Sequence, residues 1–563
     1  MASSSSNHTN GVEAEKYVDD DDDDVYDETP TFIDMTSAVE VDVPDGDGID
    51  NDDDDDDVMM DDDDDDDDDL PAASSLPAEP IIDQSKATFS SHTDAVYAIA
   101  SYYDISSHTL SIVSGGGDDR AYLHHINNIL QQPPMTSSSS ISTTANTTTT
   151  TIPLSHPHTD SISCVAFNTP YITHDTSGKI QQNLIGVGSY DGSIILYNAQ
   201  DGTLVCTLDG PTDVEFLTFH PRGGTVVLAG SIADGTIWMY HIPSKSCLQV
   251  FVGHTGGVTS GAFTPDGKWV VSVGQDGTCR VWAPKTGISK HVFRLMEENN
   301  PQQEGGNDEE GGSGGGGGLT CLAVGGGPDG QLAICGGEDG CAYVVHISGK
   351  KLVAKLPHFE ESSNINITAK GNAKDHTMDD NNDEDDDDDA MEEEEGEARS
   401  IEAVGFCPAN ITGITAHWCA TGGVDGVLKI WNTNVGGGGG SGAQLRQRCV
   451  RTDNHNDAAA EAATGGGGGG GMTAGITKLA WHSTLPLVIC SYTDGTIGIW
   501  NVRIGKLVTL LTGHEDMIND MSVSFAPPLA NEDSVSNDGG SSAVMMVVTG
   551  SDDKMVKMFE FQL

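Results

Sequence analysis

Three short stretches of the sequence share the pattern that decides the fold: residues 190–197 read YDGSIILY, residues 233–240 read ADGTIWMY, and residues 275–282 read QDGTCRVW. In each stretch an Asp-Gly pair is followed by alternating apolar residues and then by an aromatic residue. An Asp-Gly pair suits a tight turn with positive φ, and an apolar period of two indicates a half-buried β-strand. Each stretch therefore predicts a tight turn that leads into a strand.

The same pattern recurs along the chain. Further copies stand at residues 338–345, 424–431 and 493–500, and weaker copies stand at 118–122 and 552–559, which makes eight. The aspartates of the three quoted copies lie 43 and 42 residues apart, and this spacing is the span of one four-stranded propeller blade. The longer gaps between the other copies contain low-complexity segments.

A single blade buries only part of its faces, whereas blades stacked in a ring bury both faces and leave only short edges exposed. The repeat therefore predicts an all-β propeller with eight blades. To close the ring, the segment 87–92 is well placed to lend a strand to the last blade.

Charge is distributed unevenly along the chain. The 563 residues include 88 Asp and Glu against 26 Lys and Arg, for a formal charge of −62, and residues 1–83 alone hold 33 of the acids. Runs of like charge repel one another and bury nothing. We therefore predict a disordered acidic tail over residues 1–85 and a propeller over 86–563, with low-complexity loop insertions at 136–151, 297–318, 360–398, 435–471 and 526–542.

The composition also limits the partners and the compartment. A strongly negative chain repels nucleic acid and anionic membranes and attracts basic proteins. The 11 cysteines form no CxxC pair, and we see neither a secretory signal nor an apolar run long enough to span a membrane. We expect a monomer in the cytoplasm, with the nucleus as a second location, that neither contacts nucleic acid directly nor inserts into membranes.

These features resemble the WD-repeat family. The Gly-His pair that opens many blades of that family stands at Gly253-His254 and Gly513-His514, with looser forms at His92 and His158. Trp282, Trp431 and Trp500 stand where the family closes a blade with Trp-Asp, and Tyr, Val or Phe stands there in other blades. The resemblance implies that a buried histidine bonds the turn aspartate and bridges strands in a low-dielectric setting. The structural aspartates are then Asp119, Asp191, Asp234, Asp276, Asp339, Asp425, Asp494 and Asp553.

Within that family, the chain resembles the angio-associated migratory cell protein and its fungal relative, a dedicated ribosome-assembly chaperone. The most specific segment reads DGPTDVEFLTFHPR at residues 209–222 and continues as VLAGSIADGTIWMY at 227–240. The acidic tail, the doubled acid in GDDRA at 117–121, and VGFC at 404–407 add to the likeness. The resemblance implies a chaperone for a newly made basic protein of the large ribosomal subunit.

Catalysis finds no support in the sequence. No GxxxxGK[ST] phosphate loop is present. The histidines 124, 125, 156 and 158 fall at repeat positions, so a metal site is a weaker interpretation than a structural one. We predict neither an enzyme nor a cofactor nor a metal ion.

The resemblance also implies where a partner docks. Partners of WD-repeat proteins often bind the narrower face around the channel, to which the blade-opening loops and the turns contribute. Acidic residues map to this face and no Lys or Arg does, so we predict an acidic face for a basic client. We also leave open a signalling or cell-migration adaptor and a histone-binding chaperone. The predicted binding residues are Asp94, Asp118, Asp160, Asp213, Glu215, Glu338, Asp516 and Asp552.

Overall fold

The computed structural model describes most of the repeat region. The described residues are 82–127, 148–156, 158–175, 178–296, 317–359, 399–411, 413–434, 443–451, 474–527 and 544–562. Nearly all of the predicted acidic tail lies outside these ranges, as do large parts of the five predicted insertions.

Eight four-stranded antiparallel sheets form the blades of a propeller, which confirms the predicted fold class. We number the blades from 1 to 8 along the chain. In each blade the strands follow one another from the inside outward, except that blade 8 takes its outer strand from the start of the described chain.

The inner strands, from blade 1 to blade 8, are β2 (Val96–Asp104), β6 (Ile162–Phe167), β12 (Phe216–Phe219), β16 (Val258–Phe263), β20 (Leu319–Gly326), β24 (Ile401–Phe406), β28 (Ile476–Trp481) and β32 (Ile518–Ala526). The second strands are β3 (Thr109–Gly116), β9 (Leu184–Ser189), β13 (Val226–Gly230), β17 (Val270–Gly274), β21 (Leu332–Gly337), β25 (Trp418–Gly423), β29 (Leu487–Tyr492) and β33 (Val544–Ser551).

The third strands are β4 (Ala121–Asn127), β10 (Ser193–Asn198), β14 (Ile237–His241), β18 (Thr278–Trp282), β22 (Cys341–His346), β26 (Leu428–Asn432), β30 (Ile497–Asn501) and β34 (Val556–Gln562). The outer strands are β5 (Thr148–Pro153), β11 (Leu204–Asp209), β15 (Ser246–Phe251), β19 (Ser289–Arg294), β23 (Lys351–Pro357), β27 (Gln444–Cys449), β31 (Lys506–Leu511) and, for blade 8, β1 (Ala87–Phe89).

The core lies between neighbouring blades rather than within one blade. Leu184 and Leu196 of blade 2, for example, pack in one cluster with Leu217 and Val227 of blade 3. The second strands are buried almost throughout, because they have a strand on each side and a blade against each face. This burial explains why they read as continuous apolar runs rather than as alternating patterns.

The inner strands share an irregularity that the sequence does not reveal. In seven blades the register between the inner and the second strand shifts near the start of the inner strand, so that one residue is left as a bulge. A bulge re-aims side chains and increases twist. These bulges bring a ring of side chains to one end of the central channel.

Ring closure uses both chain ends. Strand β1 pairs with β34, with Ala87 opposite Met558 and Phe89 opposite Val556. Blades 8 and 1 are joined further by side chains, because the carboxylate of Asp520 accepts the N–H of Ile99 at 2.8 Å. The hydroxyls of Ser101 and Ser522 also lie 2.8 Å apart. These polar contacts add to an apolar cluster that also joins the two blades.

Two predicted insertion boundaries were wrong. Strand β5 begins inside the predicted insertion 136–151, and strand β27 lies wholly inside the predicted insertion 435–471. Both segments complete their blades, because a blade without its outer strand leaves the third strand unpaired. The structure also adds a hairpin to blade 2, formed by β7 (Tyr171–Asp175) and β8 (Gly178–Gln182), which the repeat pattern does not predict.

A buried histidine makes the fold sensitive to acid. The Nδ1 atom of His482 accepts the N–H groups of Thr484 and Leu485, at 3.1 and 2.9 Å, so the ring is held in its neutral form. Burial lowers the pKa of His482 to about 4. Between about pH 6.5 and pH 4, His482 therefore binds a proton in the unfolded chain but not in the folded chain.

We expect the free energy of unfolding to fall as the pH is lowered from about 6.5 toward 4, with His482 contributing up to about 1.4 kcal/mol per pH unit. The His482→Asn variant keeps an acceptor for the two N–H groups but does not titrate, so its pH dependence should be shallower. Urea unfolding at about pH 7 and pH 5 measures the difference. Equal pH dependence in the two proteins would contradict this assignment.

Candidate functional site

One end of the propeller is built from two kinds of loop. The loop that opens each blade and the turn between its second and third strands meet there, because the turn aspartate accepts hydrogen bonds from the opening loop. In blade 4, for instance, the carboxylate of Asp276 lies 3.0 Å from His254 Nδ1 and accepts the N–H of Thr255, also at 3.0 Å. We call this end of the molecule the loop end.

Blade 4 shows the complete network. His254 Nε2 lies 2.8 Å from the hydroxyl of Ser272, which also accepts the indole N–H of Trp282 at 2.8 Å. Burial alone raises the pKa of Asp276, but hydrogen bonds from His254, Thr278 and Thr255 outweigh it and hold that pKa well below its usual range. The ionised aspartate thus ties the opening loop to the closing tryptophan.

Blade 6 has the same network, although the sequence showed no opening histidine for it. His358 fills that role: its Nε2 lies 3.2 Å from Asp425, its Nδ1 lies 2.8 Å from the hydroxyl of Thr421, and that hydroxyl accepts the indole N–H of Trp431. His358 follows directly on strand β23, far from Asp425 in sequence. The only signal was the Pro357-His358 pair, which matches the looser form at residue 158.

Blade 1 requires a correction. The sequence interpretation gave Asp119 the structural role and placed Asp118 on the binding face, but His92 Nδ1 lies 2.9 Å from Asp118. The Asp118 side chain is only 5% exposed. Burial alone raises the pKa of the Asp118 carboxyl, but hydrogen bonds from His92 and from backbone N–H groups outweigh burial, so the pKa lies below its usual value. Asp119 has a positive φ of 61°, the place that glycine takes in most other blades.

In blades 2 and 8 the donor to the turn aspartate is again a histidine, whereas in blade 7 it is an arginine. His158 and His514 contact Asp191 and Asp553, at 3.4 and 2.7 Å. In blade 7 the donor is Arg451, whose NH1 lies 2.8 Å from Asp494.

Blades 3 and 5 have no histidine at the opening position. Asp234 accepts the backbone N–H of Thr212. Asp339 accepts the hydroxyl of Tyr343 and pairs with Lys355 at 3.4 Å. Trp500 of blade 7 donates its indole N–H to the Tyr492 hydroxyl rather than to a serine or threonine.

The prediction that Asp213 lies on the binding face was also wrong. It is 7% exposed, and its carboxylate accepts the hydroxyl of Ser231 and the N–H groups of Ile232 and Ala233. It holds the turn of blade 3, in which Gly210 stands where other blades have histidine. A buried carboxylate bonded in this way is part of the fold and cannot meet a partner.

Three predicted binding residues are exposed at equivalent positions. Asp94, Asp160 and Asp516 each lie two residues after the opening histidine of blades 1, 2 and 8. Within the described part of the chain, the one hydrogen bond that each carboxylate accepts comes from the N–H of the following residue. Because blades 8, 1 and 2 are neighbours in the ring, these carboxylates form one arc at the loop end, which we call the acidic arc.

Glu338 and Asp552 stand just before the turn aspartates of blades 5 and 8. Glu338 is exposed, and its Oε2 accepts the N–H of Gly318 at 2.7 Å. Asp552 is half-buried and accepts a hydrogen bond from the amide of Asn519, also at 2.7 Å. Both carboxylates keep oxygen atoms that a partner could use.

A channel of about 1310 Å³ opens at the loop end. The residues at the bulge positions line it, and four of them donate to the next blade: Ser163 to Val214, Thr259 to Leu319, Thr320 to Ile401, and Asn519 to Val96. The bulge residues are Tyr97, Ser163, Thr259, Thr320, Glu402, Thr477 and Asn519, and Glu215, just before the inner strand of blade 3, completes the ring.

The channel is charged. Glu215, which was a predicted binding residue, and Glu402, which was not, both line it, together with Asp520 and Lys478. Burial raises the pKa of Glu215 and of Asp520. A cation that enters the channel would therefore stabilise the ionised form of each of these two carboxylates. Glu402 was missed because it follows a segment without a recognisable blade opening.

No cluster of three or more His, Cys, Asp or Glu that could hold a metal ion occurs among the residues with described positions. Within the same residues, no helix is long and apolar enough to cross a membrane.

The repeats now define the class of protein. A family model described as "WD domain, G-beta repeat" matches residues 245–283, 470–501 and 505–560, which include strands of blades 3, 4, 7 and 8. With eight blades among its described residues, the chain is a β-propeller that contains WD repeats.

The comparisons also give individual relatives. The angio-associated migratory cell protein of Canis lupus familiaris is 26% identical over 367 residues, which cover 65% of this chain and 64% of the relative, just under two thirds. Sqt1 of Saccharomyces cerevisiae has the same fold, with a TM-score of 0.55 and 16% identity over 85% of this chain and 99% of Sqt1. Chaetomium thermophilum Sqt1, bound to the N-terminus of the ribosomal protein L10, gives a TM-score of 0.52 and 18% identity over 85% and 100% of the two chains.

The different surroundings of two aspartates predict different effects of mutation. We expect Asp213→Ala to lower the free energy of unfolding by about 2–4 kcal/mol, because it leaves two backbone N–H groups and the buried Ser231 hydroxyl without their acceptor. Asp94→Ala removes an exposed carboxylate and should cost about 0.5 kcal/mol or less. Chemical denaturation of both variants tests this, and equal losses would show that the assignment of Asp213 to the fold is wrong.

Proposed function

We propose that this propeller is a non-catalytic chaperone that binds an arginine- and lysine-rich segment of a protein of the large ribosomal subunit. The observation that carries the proposal is the acidic arc beside a channel mouth lined by Glu215 and Glu402. Its carboxylates are exposed and bonded only to the backbone of their own loops.

Electrostatics favours a basic client. Carboxylates gathered around a concave opening focus a negative potential, which steers a cationic segment and raises its rate of association. The acidic residues 1–83 add a diffuse attraction of the same sign. Arginine matches such a site well, because its planar guanidinium can donate two parallel hydrogen bonds to one carboxylate.

The relatives support the kind of client. One solved propeller of the same fold, Chaetomium thermophilum Sqt1, was determined with the N-terminus of the ribosomal protein L10 bound. A free basic segment binds RNA without regard to sequence, so a carboxylate-lined cover would prevent premature contacts. Release would follow when ribosomal RNA, a denser polyanion, competes for the same cations, and no nucleotide hydrolysis is required.

We expect a labelled Arg/Lys-rich peptide to bind the full chain and to bind more weakly as the salt concentration rises from about 50 to about 200 mM. Replacing Asp94, Asp160 and Asp516 together by Asn should weaken binding roughly tenfold, because three surface charge contacts are lost. Fluorescence anisotropy measures both effects.

A matched control removes the same number of charges elsewhere. Asp104, Asp201 and Asp329 lie in turns at the opposite end of the blades, and their replacement by Asn also changes the net charge by three units. The control should leave affinity nearly unchanged. If both triple variants weaken binding equally, only the net charge matters and the acidic arc is not the site.

A pull-down at moderate salt identifies the client. Recovery of one basic ribosomal protein, lost in the acidic-arc variant, would support the proposal. Recovery of histones would favour a histone chaperone, and a set of signalling proteins that is unaffected by the variant would favour an adaptor. Either of these results would replace the ribosomal client.

A further inference from the structure

On blades 3 to 7, the outer rim of the propeller is positively charged, whereas the chain as a whole is strongly negative. In blades 3 to 7 the described parts of the last turn and the outer strand cover residues 242–251, 283–294, 347–357, 443–451 and 501–511. These segments hold 12 of the chain's 26 Lys and Arg and none of its 88 Asp and Glu. We call this surface the outer belt.

The cations of the outer belt are at the surface. All of them are exposed except Arg451, which is half-buried beside Asp494. They are Lys245, Lys285, Lys290, Arg294, Lys350, Lys351, Lys355, Arg446, Arg448, Arg451, Arg503 and Lys506.

The belt is continuous between neighbouring blades where the structure shows the contact. Gln447 of blade 6 donates from its side chain to the backbone carbonyl of Arg503 in blade 7, at 3.0 Å. In blades 3 and 4 the side chain of Gln249 packs against Gly287 in the same way. The last turn of one blade thus lies on the outer strand of the blade before it, which joins their cations into one surface.

Blades 8, 1 and 2 differ. The described residues in and beside their outer strands, at 82–89, 148–154 and 199–209, hold three acids and one lysine. These are also the blades that carry the acidic arc. The described rim is therefore polarised across the ring: on five blades its charged residues are all cations, and on the other three, which also carry the acidic arc, acids outnumber cations.

The outer belt also exposes aliphatic side chains. Ile288 and Ile504 are about 60% exposed, and Leu352 and Val508 are 47% exposed. No exposed aromatic residue lies on the belt, so it offers no platform for stacking nucleic-acid bases. Each outer strand also has only one neighbour in its sheet, which leaves a free edge for an added strand.

We propose that the outer belt binds an acidic segment of a partner protein in which acids are interspersed with aliphatic residues. Carboxylates of such a segment would pair with the exposed Lys and Arg while its apolar residues cover the exposed Ile, Leu and Val. The acidic arc plays no part in this contact, so the proposal stands or falls independently of the basic client.

The test uses the full chain and a labelled peptide built from repeated Glu-Leu-Glu-Glu units. We expect the peptide to bind, and we expect Arg446→Gln with Arg448→Gln to weaken binding roughly fivefold, since two exposed charge contacts are lost. The matched control is Thr150→Glu with Thr207→Glu, which changes the net charge by the same two units on the exposed outer strands of blades 1 and 2. The control should bind the peptide as the parent chain does.

A labelled uridine oligonucleotide provides the second arm. If it binds more tightly than the peptide, and the arginine variant weakens its binding, the belt is a phosphate-binding surface and the proposal is wrong. Absence of peptide binding, or equal weakening in both variants, also overturns it. Replacing Asp94, Asp160 and Asp516 by Asn should not weaken binding of the acidic peptide. This expectation separates the test of the outer belt from the test of the acidic arc.

Discussion

The turn aspartate between the second and third strands is the residue on which each blade depends. In seven of the eight blades described, its carboxylate accepts a hydrogen bond from the loop that opens the same blade, as in His92 to Asp118 and His358 to Asp425. That loop also ends the outer strand of the preceding blade. This hydrogen bond therefore fixes the turn, the start of the inner strand and the neighbouring blade together, and removing the donor would leave a largely buried carboxylate without its partner.

Local chemistry explains how much the sequence could predict. The Asp-Gly turn and the strand after it are set by residues close in sequence, so the number of blades and most turn aspartates were evident. The doubled acid of blade 1 was ambiguous because Asp119, not a glycine, takes the positive φ there, as Lys554 does in blade 8. The general rule is that the structural aspartate precedes the residue with positive φ, and this requires backbone angles that the sequence does not contain.

Long-range pairing explains what the sequence could not predict. His358 and Asp425 are 67 residues apart and meet only because both lie at the loop end. Asp213 matched an acidic binding pattern, yet it is buried because Gly210 cannot donate a side-chain hydrogen bond to the turn of that blade. The bulge at Glu402, which brings that side chain to the channel, is likewise a property of strand register, and a one-residue shift would turn the side chain away.

The sign of a local surface can differ from the sign of the whole chain. At physiological ionic strength the field of an exposed charge decays over about 8 Å, so charges on distant parts of the propeller are largely independent. A chain with a formal charge of −62 can therefore present an outer belt whose described segments contain only cationic charges. The net charge governs which molecules approach from afar, whereas the local charge of the acidic arc and of the outer belt governs which chemistry fits each surface. This separation is what the two proposed docking surfaces of opposite charge rely on.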